Sequence, residues 1–211
     1  MDLKSKIILI YGPTASGKSQ FAIKLAKKIN GEIINADSMQ VYRELKVLTA
    51  RPTGSDYKKI KHHLYGFISV KKNFSTGEWI KLVNKKIIDL KKRKKIPILV
   101  GGTGLYFKAL IDGLIDIPNI PIKLRNEVRI LHKNIGSKNF YLKLKKIDPL
   151  VKDYINPSDT QRSIRAYEVK LFTKKSLYEW FQNTKSYYHK NEFFKIYIDF
   201  PRKELLNRIS T

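Results

Sequence analysis

The sequence contains no cysteine, so a disulfide framework, a thiolate metal site and a thiol nucleophile are all excluded. It also lacks any apolar run near the ~18 residues that a membrane helix needs. A first apolar stretch, Ile7-Ile8-Leu9-Ile10-Tyr11, begins after six residues, with no n-region and h-region of a secretory signal before it. These absences lead us to expect a soluble, unsecreted, cytoplasmic chain with no membrane partner. Acidic residues are scarce: 18 Asp+Glu stand against 43 Lys+Arg, a formal net charge of +25. A field of that sign attracts polyanions, of which nucleic acid is the commonest. A plainer reading stands beside it, because 34 of the cations are lysine and only 9 arginine. Compositional bias would place such lysines, solvated, on helix faces. At 211 residues and 42% hydrophobic content, the chain can bury the core of one α/β domain with an insertion.

Strand and helix signals alternate along the first hundred residues, which predicts parallel βαβ units. Strands are expected at Ile7 to Tyr11, Glu32 to Ala36 and Ile96 to Val100. Phe21, Ala22, Leu25, Ala26 and Ile29 recur at helical spacing, and Asn30-Gly31 supplies a stop. Thr76 to Arg93 repeats the pattern, with Trp79, Ile80, Val83, Ile87, Ile88 and Leu90 as the expected buried stripe. A third helix follows VGGTGLYFKALIDG. From about Ile117 to Thr184 strand signals vanish, and LRNEVRILHKN, SKNFYLKLKKI and DTQRSIRAYEVKLFTKK read as successive helices. FFKIYIDF then resumes a strand near residue 193. The expected organisation is an α/β core over 1–116, a helical insertion over 117–184, and a return to the core over 185–211.

The segment Gly12-Pro13-Thr14-Ala15-Ser16-Gly17-Lys18-Ser19 fits G-x-x-x-x-G-K-[ST], with the strand before and helix after that this phosphate loop requires. Its amides and the helix N-terminus form a pocket of partial positive charge. Lys18 adds a full charge, and the Ser19 hydroxyl can ligate Mg²⁺. The motif specifies a diphosphate-like group and leaves the reaction open.

In EIINADSMQVY, Asp37 falls just past the second strand, on the edge where parallel α/β proteins collect ligands. There a carboxylate could orient Mg²⁺, take a proton from a nucleophile, or simply cap a helix with Ser38. Met39, Gln40 and Tyr42 crowd the same turn with groups suited to a flat base. In PILVGGTGLYFKAL, Gly101, Gly102 and Gly104 admit a ligand near the backbone or serve tight strand-to-helix packing. Thr103 brings the only side-chain hydroxyl in that turn, able to hold a base carboxylate or a departing oxygen.

Taken in order, GPTASGKS, NADSMQVYREL, TARPT, HHL, FSTGEW, PILVGGTGLYFKALIDGL and DPLVKDYINPSDTQRSIRAYEV resemble the tRNA dimethylallyltransferases, also called tRNA isopentenyltransferases. The resemblance covers almost the whole chain. It implies a P-loop NTPase-like parallel sheet flanked by helices, with an inserted all-helical subdomain that grips tRNA. It implies a Mg²⁺-dependent transfer of the prenyl group of dimethylallyl diphosphate to N6 of the adenosine 3′-adjacent to the anticodon. The loop Gly12 to Ser19 would then hold the diphosphate, with Ser19 toward the metal. Asp37 would be general base and Thr103 would assist at the reacting centre. Asp37, Ser38, Met39, Gln40 and Thr103 would contact the target nucleotide, which must be extruded from its loop. Arg125, Gln161, Arg162, Ser163, Ile164 and Arg165 would contact the anticodon stem-loop from an insertion that carries 14 Lys+Arg against 6 Asp+Glu.

Two rival readings remain at this stage: a P-loop kinase acting on a nucleotide or small metabolite, and an inactive RNA-binding fragment. Family members usually continue through further helices after FFKIYIDF, so this shorter chain is expected to be marginally stable and weakly active. A monomer is expected. KKRKK at 91–95 ends a helix, where cations suit the dipole, and His62-His63 lacks the spacing of a metal pair.

Overall fold

A computed structural model describes residues 3, 5–52, 54–182 and 184–210; Thr53, within TARPT, lies outside them. Close contacts divide the chain into two units, Met1–Gly113 with Ser186–Thr211, and Leu114–Lys185.

The first unit is built from β1 (Ile7–Tyr11), α1 (Lys18–Ile29), β2 (Gly31–Asn35), α2 (Gly54–Lys59), β3 (His62–His63), α3 (Thr76–Lys92), β4 (Ile96–Gly101) and α4 (Gly104–Asp112). After the second unit, β5 (Phe193–Tyr197) and α8 (Arg202–Ser210) complete it. All strands are parallel, in the order β3-β2-β4-β1-β5. The chain is therefore α/β, as the alternation of signals implies. β4 is buried throughout, and β1 up to Tyr11, as continuous apolar runs covered on both faces should be, and β2 is buried throughout although it carries Glu32 and Asn35. β5 lies at the sheet edge and alternates, with Phe193 buried and Lys195 and Tyr197 exposed.

Strand period two sends Ile7, Leu9, Ile34 and Leu99 to one face, where α3 and α4 pack Trp79, Val83, Ile87, Leu90 and Phe107 over them. Ile8, Ile10, Ile33 and Ile98 go to the other face, under Ala22, Ile23 and Ala26 of α1. Two residues of the expected stripes do not belong there. Phe21 is 41% exposed and Ile88 51%, while Ile23 and Asn84 take buried positions. Each displaced residue lies about 100° around its helix from the face that meets the sheet. The α3 start is set by a full capping box, Ser75 with Glu78.

The second unit contains α5 (Ile122–Ile147), α6 (Thr160–Thr173) and α7 (Leu177–Gln182). Its core joins Val128, Phe140 and Leu144 of α5 to Ala166, Tyr167 and Val169 of α6, with Leu177 of α7. The backbone of α5 leaves the helical region at Gly136, which accounts for the two separate helical signals in the sequence. No helix among the described residues is long and apolar enough to cross a membrane.

Two residues of the basic run at 91–95 are held in ion pairs within the sheet unit. Lys91 pairs with Glu192 at 2.9 Å, and Arg93 reaches the buried Glu32 through two bonds of 2.7 and 3.1 Å. His63 Nε2 lies 2.6 Å from Glu32 on its other side. Burial pushes the Glu32 pKa up, but the bonds from Arg93 and His63 outweigh it and hold the carboxyl at about 2. A depressed acid contributes stability above its unfolded pKa and loses it as pH falls toward the folded value. The expected result is about 2–3 kcal/mol lost between pH ~4.5 and ~2. Thermal melts of Glu32→Gln across that window should lack this slope.

Candidate functional site

Three turns meet at the C-terminal edge of the sheet. Because β4 lies between β1 and β2, the loops after these strands are neighbours.

The loop after β1 runs from Gly12 to Gly17, and Lys18 and Ser19 open α1. Gly17 adopts φ 84°, in the left-handed region that glycine enters freely. Ala15 is also positive, at φ 62°, where a side chain carries strain. A loop with these turns, followed directly by the first turn of α1, is an arrangement suited to an anion. Pro13 supplies the carbonyl that accepts from Lys18 Nζ at 2.8 Å. Burial pulls the Lys18 pKa below its ordinary 10.5, and the Asp37 charge opposes that shift. The Ser16 hydroxyl is buried without a hydrogen-bond partner, an unmet polar group inside the loop. Thr14 is exposed and Ser19 half-buried.

The loop after β2 is held more tightly than its sequence suggests. Asn35, fully buried, donates its side-chain amide to Asp37 O (2.9 Å) and Leu64 O (3.1 Å) and accepts from Asp37 N (2.9 Å). The Asn35 carbonyl accepts from Trp79 Nε1 at 3.0 Å, and Trp79 stacks on Tyr106 with centroids 4.1 Å apart. Asp37 Oδ1 accepts from Met39 N (2.9 Å) and Gln40 N (3.3 Å), so the same carboxylate caps its own turn. Gln40 gives its side-chain amide to Thr49 O at 2.8 Å and braces the following loop. Met39 is exposed.

The turn after β4 is stitched to this one. Ala36 N donates to Val100 O at 2.8 Å, and Ser38 N donates to Thr103 Oγ1 at 2.9 Å. The Thr103 hydroxyl in turn donates to Ser38 Oγ at 3.2 Å. A Cβ on Gly101 would stand 2.0 Å from Ala36 O, so this glycine serves backbone packing. At Gly104 nothing lies within 4 Å, leaving space. Asp37, Ser38 and Thr103 therefore form one unit, and Asp37 acts electrostatically on Lys18.

A cavity of about 460 Å³ borders these turns, lined by Gly12, Pro13, Gly102 and Gly104 and by Tyr11, Phe107, Ile111 and Tyr197. Tyr11 packs against Phe107 and Tyr197 with centroids 5.7 and 5.4 Å away. Its walls are mainly apolar and aromatic, with Lys195 at one side.

In the helical unit, Asp159 caps α6 through Arg162 N at 3.1 Å, and the next residues divide by helix face. Gln161, Ile164 and Arg165 line a polar cavity with Arg125, Arg129, His132 and Glu168. Arg162 is exposed and lies on the other side, whereas Ser163 is buried in the unit with its hydroxyl unpartnered. Burial lowers the Arg165 pKa; Glu168 opposes this and the Arg125 charge adds to it.

A model of the family described as IPP transferase matches residues 40–211. The chain belongs to the IPP transferase family. A tRNA dimethylallyltransferase of Pelagibacter ubique (strain HTCC1062) is 60% identical over 210 residues, which is 100% of this chain and 67% of that protein. One of Rickettsia massiliae (strain Mtu5) is 49% identical, with 84% of this chain and 49% of the relative covered. Among solved structures, a eukaryotic dimethylallyltransferase acting on tRNA superposes with a TM-score of 0.82 at 30% identity, covering 97% of this chain and 50% of that one. The chain thus spans between about half and two thirds of the length of these family members.

The sequence alone does not single out Asn35, which reads as one more residue of the strand expected from Glu32 to Ala36. Its signal is a buried polar residue two positions before the candidate base. Arg129 and His132 are likewise not singled out by any motif. They follow Arg125 by four and seven residues on a helix, the spacing of one face.

Proposed function

We propose that the chain transfers the dimethylallyl group of dimethylallyl diphosphate to N6 of the adenosine 3′-adjacent to the anticodon of tRNA. The observation that carries this reading is the junction of a phosphate loop, an aromatic-lined cavity and the Asp37–Thr103 turn at one sheet edge. A phosphate loop alone suits many reactions. The adjacent apolar cavity favours a donor whose transferred part is hydrocarbon over one that transfers phosphate.

In the reaction the C1–O bond of the donor breaks, the C1–N6 bond forms, and N6 gives up a proton. Loop amides and Lys18 stabilise charge on the departing oxygens. Aromatic faces beside the loop stabilise the cationic character developing on the allylic carbon. N6 is a weak nucleophile because its lone pair is delocalised into the ring. Asp37 accepts its proton, while Thr103 and Ser38 hold the turn that aims the carboxylate. The donor set at this edge suits Mg²⁺: a hydroxyl, a carboxylate and the oxygens of the diphosphate, with no soft ligand. Ser19 would hold the ion, which when bound would screen charge on the leaving group. The helical unit, with Arg125, Gln161, Arg162 and Arg165, would grip the anticodon stem-loop.

The test is incubation of the 211-residue chain with Mg²⁺, dimethylallyl diphosphate and an unmodified anticodon stem-loop, followed by mass spectrometry of the RNA. The expected result is a gain of one prenyl group. RNA that binds but gains nothing would leave an RNA-binding chain, and phosphoryl transfer from ATP would make it a kinase.

Asn35 gives a further prediction. In Asn35→Asp, the acceptor for Asp37 N is kept, but both donated bonds are lost and a second carboxylate is set beside the first. Turnover should fall about 10-fold or more, from the ~1–3 kcal/mol that each unmet buried partner costs. The pH–rate profile should move to higher pH, while RNA affinity stays within about twofold. A lower melting temperature with an unmoved pH profile would reduce Asn35 to a structural role.

A further inference from the structure

Among the described residues of the helical unit, Arg165 lines two cavities. On one side lies the arginine cavity, about 600 Å³, where Arg125, Arg129, His132 and Gln161 gather and where buried Arg125 Nε has no hydrogen-bond partner. On the other lies a cavity of about 500 Å³ with a different character, walled by Leu114, Ile117, Tyr154, Tyr178 and Phe181 and charged only by Arg162 and Arg165. Tyr154 and Tyr178 stack there, with centroids 5.2 Å apart and planes 22° from parallel, and Tyr154 is held by Ser176 through a 3.0 Å bond. Phe181 is 51% exposed at the rim. The acids that face these arginines are few. Asp159 pairs with Arg162 at 3.1 Å, and Glu168 lies 3.6 Å from Arg165.

An apolar aromatic slot and a guanidinium cluster on opposite sides of one arginine complement a ligand with a flat π-face joined to an anion. Unpaired nucleotides have that form: their bases stack on aromatic rings while arginines hold the phosphate. Paired RNA cannot use the slot, because its bases are stacked on each other.

We propose that the helical unit holds one unstacked nucleotide of the RNA, its base in the slot of Tyr154, Tyr178 and Phe181 and its flanking phosphate among Arg125, Arg129 and Arg165. This deepens the RNA-binding part of the function proposed above and rests on it. The nucleotide is additional to the target adenosine, whose chemistry belongs to the sheet unit. Phe181 and Tyr178 thereby become affinity determinants with no part in the chemistry.

The test uses the whole chain without prenyl donor, so that it stands apart from transfer. Affinity is measured for an anticodon stem-loop and for versions carrying an abasic site at each loop position in turn. One position, other than the target adenosine, should cost about 5- to 150-fold in affinity. Phe181→Ala should weaken the intact loop by a similar factor and be indifferent to that abasic site, whereas Phe181→Trp should keep both the affinity and the sensitivity. Arg129→Gln should weaken every loop alike and lower the salt slope by about one. A scan in which no position outside the target matters, or in which Phe181→Ala binds every loop as the parent does, overturns the proposal. Such a flat scan with transfer intact would sink the slot and spare the transferase. A positive scan without transfer would do the reverse.

Discussion

Replacing Asp37 by alanine should lower prenyl transfer about 10²- to 10⁴-fold, the usual contribution of a positioned general base, and leave RNA affinity within about twofold. The structure makes this substitution ambiguous alone. Asp37 Oδ1 accepts from Met39 N and Gln40 N, so alanine removes a turn cap together with a base. Asp37→Asn separates the two roles, because its carbonyl oxygen can still accept both amides while the group cannot take a proton. Both variants should therefore lose transfer to a similar degree, with Asp37→Asn melting near the parent and Asp37→Ala about 1 kcal/mol lower, the worth of a cap. The measurement is single-turnover transfer to the stem-loop at saturating donor. Should Asp37→Asn retain more than a tenth of the parent rate, the carboxylate is a cap and the proton leaves by another route.

How much of this was legible beforehand depends on the range of the interaction. The strands at Ile7 and Ile96 announce themselves because a parallel strand covered on both faces is an unbroken apolar run, while the edge strand at Phe193 shows through its aromatic and β-branched residues. The loop Gly12 to Ser19 is equally local: its glycine, lysine and hydroxyl positions follow each other along the chain. β3 is not expected from the sequence, since two residues carry no period, and its His63 is defined by a partner, Glu32, lying 31 residues earlier. The role of Gly101 was also open. Only the sheet order, with β4 beside β2, places Ala36 O where its Cβ would be. Ser163 offers the same lesson within a short motif. Between Gln161 and Arg165 the sequence reads as one contact surface, yet a helix turns its third residue into the core.

Lys18→Ala should lower kcat/KM for the prenyl donor about 10²- to 10³-fold, in the range found when one donor to a developing oxyanion is removed. Three observations set the size of this effect. Lys18 is half-buried, its Nζ rests on Pro13 O at 2.8 Å, and desolvation already lowers its pKa. A cation held in that state gains from an arriving diphosphate, which restores the favourable charge environment that burial removed. Donor affinity should consequently fall on the alkaline side at a pH below the ordinary lysine value of 10.5, because the neutral amine contributes no charge. That alkaline limb should vanish in Lys18→Ala. Lys18→Arg should not rescue transfer, since a planar fork cannot replace a compact ammonium inside a closed turn of backbone amides. RNA affinity, which the proposed function assigns to the helical unit, should be unchanged in both variants. Initial rates against donor concentration from pH 7 to 10 give the result directly. A Lys18→Ala chain within threefold of the parent, with its alkaline limb intact, would remove the lysine from the donor site and leave the loop amides as the sole diphosphate contact.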